Sequence, residues 1–62
     1  MKNKLKDIRE QKKLTQEQMA KWVGISSQPQ YNRIESGGDI KLSTAAKIAG
    51  VLKLSIKEIW GV

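Results

Sequence analysis

Cysteine and histidine are both absent from this 62-residue sequence, which removes disulfide staples, zinc fingers and haem ligation from the ways the chain can be held together or used. The lack of cysteine fits a reducing compartment, and a cytoplasmic location is expected. Apolar residues never run beyond a few in succession, far short of the ~20 that a membrane-spanning helix requires. The opening Met1-Lys2-Asn3-Lys4-Leu5-Lys6-Asp7 alternates charge with apolar residues where an export signal would carry a continuous apolar stretch. Alternating strand-like runs are missing too, as are repeats, linkers and low-complexity tracts. There is no phosphate-cradling loop and no pair of carboxylates placed as acid and base, so a reaction centre would have to be built from lysine or tyrosine. The chain is therefore expected not to be an enzyme and to need neither cofactor nor metal.

What is present bounds the rest. A chain this short buries only about 60% of the surface it exposes when unfolded, so one domain with one core, residues 1–62, is expected. Twelve Lys and Arg against six Asp and Glu give a net charge of +6 and an isoelectric point near 9.9. A polyanion is the natural partner, and nucleic acid, an acidic protein surface and an anionic lipid surface all answer to that charge.

Helical spacing runs through almost the whole chain and divides into five short segments. The first, roughly 3–12, sets Leu5 and Ile8 on one side. The second opens on Thr15-Gln16-Glu17-Gln18, where the Thr15 hydroxyl accepts from the Gln18 amide while the Gln18 side chain reaches back, a capping box. Met19, Ala20 and Val23 make its inner stripe, and Gly24 supplies the left-handed residue that ends many helices. Ser27-Gln28-Pro29-Gln30 reads as a second box. Its proline falls in the first turn, where no amide is needed, whereas inside a helix it would cost about 3 kcal/mol. This third helix runs from near Gln28 to about Glu35 and stops at Ser36-Gly37-Gly38. Leu42, Ala45, Ala46, Ile48, Ala49 and Leu52 form a broad stripe on a fourth helix, expected to be the central buried one. Gly50 inside it costs ~1 kcal/mol relative to alanine. A third box, Ser55-Ile56-Lys57-Glu58, opens the last helix, which ends with Ile59 and Trp60. The expected fold is all-α, a compact five-helix bundle.

Two of these helices, joined by a tight glycine-bearing turn over about 16–35, make a helix-turn-helix unit, the arrangement whose second helix lies in the DNA major groove. At 100° per residue, Tyr31 and Ile34 fall on one side of the third helix, and Gln28, Pro29, Asn32 and Arg33 fall together on the other. One face is apolar and the other is amide and guanidinium. Arg suits the O6 and N7 acceptors of guanine, and Gln or Asn suits N6 and N7 of adenine. Lys13, before the second helix, and Lys41, near the start of the fourth, are placed as candidate phosphate contacts.

The segment Leu14-Thr15-Gln16-Glu17-Gln18-Met19-Ala20, followed by Val23-Gly24-Ile25-Ser26, resembles the Cro/C1-type (XRE) helix-turn-helix family. Arg33-Ile34-Glu35-Ser36-Gly37 resembles the family's end of the recognition helix, Leu42 to Ala49 its following core helix, and Leu54-Ser55-Ile56-Lys57-Glu58-Ile59 its closing element. The similarity extends from about Leu5 to Trp60 and implies a lambda-repressor-like fold. It also implies that Gln28, Asn32 and Arg33 face base edges, with Gln30 a further candidate, and that Gln16 and Ser27 hold phosphate, a contact that fixes register without reading sequence. Arg9 and Glu35 match positions that pair in this family as a partly buried salt bridge.

Two departures stand out. Between Gly24 and Tyr31 there is one residue more than the usual family spacing, and the connection from Gly37 to Leu42 is one residue shorter. The turn has room to bulge, and a bulge would shift the start of the third helix and with it Gln28 and Gln30. Pro29 replaces a residue that is commonly polar in relatives, and Trp22 falls where relatives are polar and solvent-facing. A subunit contact and a lone exposed apolar residue both account for Trp22.

The expected function is a sequence-specific regulator of transcription that binds double-stranded DNA, a small bacterial or phage repressor acting by occupying its operator. One short recognition helix reads few base pairs, which favours a homodimer on a palindromic site with half-sites ~34 Å apart. The same fold serves antitoxins and controllers of restriction systems. A protein-interaction module that docks a partner helix is the alternative from another class.

Overall fold

A computed structural model describes residues 2–61, so Met1 and Val62, the two ends of the expected 1–62 domain, lie outside the described residues. Within them the chain forms five helices and no strand: α1 Leu5–Gln11, α2 Gln16–Val23, α3 Gln28–Glu35, α4 Leu42–Leu52 and α5 Ile56–Trp60. The expected all-α, five-helix architecture is what the chain adopts.

Side chains set most of the helix starts. Thr15 and Ser55 each complete a reciprocal capping box, with Gln18 and Glu58 respectively. α1 begins two residues later than its apolar spacing suggests, because the Asn3 side chain is used outside the helix. Its Oδ1 accepts from the Leu5 amide at 3.0 Å, and its Nδ2 donates to the Ile34 carbonyl at 2.9 Å. The Lys4 amide then donates to the Ile59 carbonyl at 2.9 Å, so the segment entering α1 is tied to both α3 and α5.

The core gathers a few side chains from every helix. Leu5, Met19, Val23, Tyr31, Ile48 and Ile59 are fully enclosed, with Ala20, Ile25, Ile34, Ala45, Ala49, Leu52 and Trp60 around them. α4 packs on both α2 and α5, but its buried stripe is narrower than the sequence suggests. Leu42, in the first turn on the flank of the stripe, is 76% exposed, and Ala46, farther round the helix, is exposed too. α2 and α3 also pack directly on each other, which fixes where the outer face of α3 points.

Candidate nucleic-acid interface

The outer face of α3 is defined by what its inner face buries. Tyr31 is 0% and Ile34 4% exposed, and with those two anchored, Gln28, Pro29, Gln30, Asn32 and Arg33 all lie exposed. The helix start is set by Ser27, whose Oγ accepts from the Gln30 amide at 3.2 Å, with Pro29 in the first turn where its missing N–H leaves no bond unmade. Only half of the expected second capping box forms. The Gln30 side chain does not return to the Ser27 backbone, and it lines a notch beside Arg33 instead. A carboxamide on the exposed side of α3 is then free of the cap.

The turn before α3 leaves the helix start where the sequence places it, at Gln28. Gly24 ends α2 at φ 82° and ψ 24°, residues 25–27 follow, and the helix starts at Gln28. The buried Ile25 side chain pins this turn from inside, and its amide donates to the Ala20 carbonyl at 2.8 Å. Lys47 reaches across from α4 and donates to the Gly24 carbonyl at 3.2 Å. The left-handed backbone of Gly24 favours glycine, and a Cβ there would come within 2.6 Å of Lys47 Cε, so the flexible lysine tip would have to move aside.

Beneath the exposed face lies a polar cluster centred on Glu35. Arg9 lays its guanidinium fork on the Glu35 carboxylate, Nε to Oε2 at 3.0 Å and Nη2 to Oε1 at 3.1 Å, while Nη1 donates to the Leu14 carbonyl at 3.0 Å. The two side chains are 14% and 5% exposed. Gln16 Nε2 donates to Glu35 Oε1 at 3.3 Å, and Asn32 Nδ2 donates to Gln16 Oε1 at 3.1 Å. The buried Tyr31 hydroxyl faces the same carboxylate without a well-aligned hydrogen bond of its own. Burial works to raise the Glu35 pKa, but the hydrogen bonds from Arg9 and Gln16, with the Tyr31 hydroxyl turned toward the same carboxylate, outweigh it and hold the carboxyl below the ordinary carboxylate value. The hydrogen bond to Glu35 raises the Arg9 pKa against the opposing effect of burial. Burial first, and the neighbouring carboxylate second, push the Tyr31 phenol well up.

The other sequence-predicted residues surround this face. Ser27 keeps its own O–H as a donor while its oxygen caps α3. Lys13 is exposed in the α1–α2 turn in the left-handed region, at φ 57°. Lys41 is the exposed N-cap residue of α4, a helix start with no side-chain cap. A notch of ≈ 240 Å³ lies between Arg33, Lys41, Asp39 and Thr44. Gly38 backs the Arg33 stem closely, since a Cβ there would lie 2.8 Å from Arg33 Cγ. The structure thus brings Gln16, Asn32, Arg9 and Glu35 into one bonded chain, places Gln30, Arg33 and Lys41 around one notch, and leaves Gln28 and Lys13 exposed.

Sequence reasoning did not find the Gln16–Asn32 and Gln16–Glu35 bonds, the Asn3–Ile34 tie or the Lys47–Gly24 contact. Each joins residues 16 to 31 positions apart, and no spacing rule within one helix signals such a pair. Trp22 is 45% exposed with the Lys12 ammonium 5.1 Å from its ring centroid, a cation–π contact that covers part of the indole. Among the described residues no group of three or more His, Cys, Asp or Glu is placed to hold a metal ion, and no helix is long and apolar enough to cross a membrane.

The arrangement presents three carboxamides, Gln28, Gln30 and Asn32, and the Arg33 guanidinium on the exposed face of α3, with Lys41 beside Arg33. That surface suits hydrogen-bonding to the edges of a grooved polyanion better than enclosing a small substrate. A family model described as helix-turn-helix matches residues 5–59. No curated protein and no solved structure matches the chain.

Proposed function

The chain belongs to the Cro/C1-type helix-turn-helix family of DNA-binding transcriptional regulators, with its lambda-repressor-like fold, and on that premise we propose that it binds a specific duplex operator and represses transcription by occupying it. The observation that carries this reading is the division of α3. Tyr31 and Ile34 lock one face into the core, and the other face, Gln28, Gln30, Asn32 and Arg33, is entirely polar apart from Pro29 and exposed. In this reading those four residues read base edges. Ser27, through its remaining O–H, Gln16, through its second N–H, and the ammonium groups of Lys13 and Lys41 hold phosphates. The net charge of +6 supplies the long-range attraction to the backbone. Two copies on a palindromic site double the few base pairs that one eight-residue helix can read, and a cytoplasmic regulator meets its DNA directly.

Binding-site selection from random duplexes, followed by gel shifts at fixed salt, tests the proposal. Affinity for the selected operator is expected to exceed that for random DNA by about 10³ or more, as is typical of specific binders. A margin below about tenfold would overturn it and favour a protein-docking role for the same surface.

A further inference from the structure

Glu35, Gln16 and Asn32 form a chain in which each hydrogen bond dictates the direction of the next. Glu35 is 5% exposed and held ionised under the Arg9 fork, and an ionised carboxylate only accepts hydrogen bonds. Gln16 must therefore turn its NH₂ group toward Glu35, as it does at 3.3 Å. The opposite flip would set a carbonyl oxygen against the carboxylate. With its nitrogen committed inward, Gln16 presents Oε1 outward, and that oxygen accepts from Asn32 Nδ2 at 3.1 Å. The Asn32 flip is fixed in turn, since reversing it would oppose two carbonyl oxygens.

We infer that Gln16 is a positioning residue, one that transmits the polarity of the Arg9–Glu35 ion pair to the exposed Asn32 carboxamide and so makes the base beneath Asn32 adenine. The inference takes its ligand, but not its geometry, from the duplex-DNA reading above. After donating one N–H to Gln16, Asn32 keeps one N–H and its Oδ1. Adenine offers N7 as acceptor and N6–H as donor in the major groove and matches that pair, whereas guanine offers two acceptors, N7 and O6. A freely rotating surface amide would have to be ordered on binding, while this one is ordered beforehand from inside the protein. Gln16 thereby differs from a simple phosphate clamp, because its loss changes which base is preferred and not affinity alone.

Gln16→Ala, Gln16→Glu, Asn32→Ala and the double Gln16→Ala/Asn32→Ala variant of the 62-residue chain test this in two ways. In the free protein, the Asn32 side-chain amide resonances in ¹⁵N–¹H spectra are expected to be displaced from random-coil positions and to return toward them in Gln16→Ala. Resonances identical in the two proteins would overturn the relay, whatever the protein binds. On DNA, wild type is expected to prefer adenine over guanine at one operator position by about tenfold or more. Gln16→Ala and Asn32→Ala should each reduce that preference to about threefold or less at the same position, with no further loss in the double variant. Gln16→Glu should fail like alanine, because a carboxylate at position 16 has no N–H for Glu35 and is repelled by it, which drives the side chain away from the place where it meets Asn32. If Gln16→Ala weakens every sequence equally and leaves the adenine preference intact, Gln16 is a phosphate contact and the inference falls. If wild type selects no sequence, the DNA reading fails and the base assignment with it, and the spectra alone then decide whether the relay exists.

Discussion

At the scale of single residues, the Glu35 cluster makes stability depend on pH at both ends of the range. Glu35 has its carboxyl pKa lowered in the folded protein, so the unfolded chain binds a proton there more readily than the folded one. The stabilisation from its ionised form is complete above the ordinary glutamate value of about 4.3 and is lost as pH falls through the lower folded value. Tyr31 runs the other way. Its phenol is raised by burial, so its contribution is complete below about pH 10, the ordinary tyrosine value, and fades as the unfolded phenol ionises above it. Urea midpoints measured across pH should fall at both ends, with the alkaline fall reduced in Tyr31→Phe and the acid fall reduced in Glu35→Gln. An unchanged alkaline limb in Tyr31→Phe would show that this phenol is not the group responsible. On the outer face, Arg33→Ala should weaken operator binding by ~1 to 3 kcal/mol and relax preference at one position, while Lys41→Ala should weaken all sequences alike. Competition gel shifts against single-base operator variants separate the two behaviours, and identical behaviour would contradict the division into base and phosphate contacts. Which residues stand outward on α3 was legible from 100° spacing, because Tyr31 and Ile34 are apolar and their neighbours are not. The bonding of Asn32 to Gln16 was not legible, because it depends on the crossing of α2 and α3, which periodicity within either helix leaves open.

At the scale of helices, local chemistry and packing part company in α4. Gly50 is exposed, and a Cβ built on it meets nothing within 4 Å. The glycine therefore costs helix propensity with no packing return, and Gly50→Ala should raise stability by about 0.5–1 kcal/mol, read as a higher urea midpoint with unchanged slope. Gly24→Ala is the contrasting case. At φ 82°, with Lys47 Cε 2.6 Å from the added carbon, it should lower stability and displace the Lys47 contact with the α2 terminus. If both glycine substitutions shift the midpoint in the same direction, the distinction drawn from their surroundings is wrong. Helix starts were well marked in the sequence wherever a Ser or Thr stood three residues before Gln or Glu, as at Thr15 and Ser55. The same signature at Ser27 was misleading in one half, since Gln30 lines the Arg33 notch and leaves the reciprocal bond unmade. Leu42 was misread for a related reason: its spacing belongs to the stripe, but it stands in the first turn on the stripe's flank and remains exposed. Periodicity gives a direction around a helix and not the depth of what lies in that direction.

At the scale of the whole molecule, size constrains how two copies can share an operator. The Cα envelope measures 23 × 21 × 18 Å, and side chains add roughly 3 Å on each side, giving a longest dimension of about 29 Å. Half-sites one helical turn apart place the two recognition helices ~34 Å from each other on the same face of the duplex. Protomers of this size centred on such half-sites meet only through long side chains at their edges, well short of the ~1,000 Å² expected of a stable interface. The chain should therefore be a monomer in sedimentation runs without DNA and should assemble as two copies only on the operator. Salt dependence gives an independent reading of that count. With Lys13 and Lys41 as the cationic phosphate contacts, each protomer neutralises two phosphates, so a two-copy complex should show a slope of log affinity against log salt of about −3.6, and a single copy about −1.8. In the two-copy complex Lys41→Ala removes one cation from each protomer and should bring the slope to about −1.8. A wild-type slope near the single-copy value, together with one protomer per operator in the centrifuge, would show that one α3 reads the whole site.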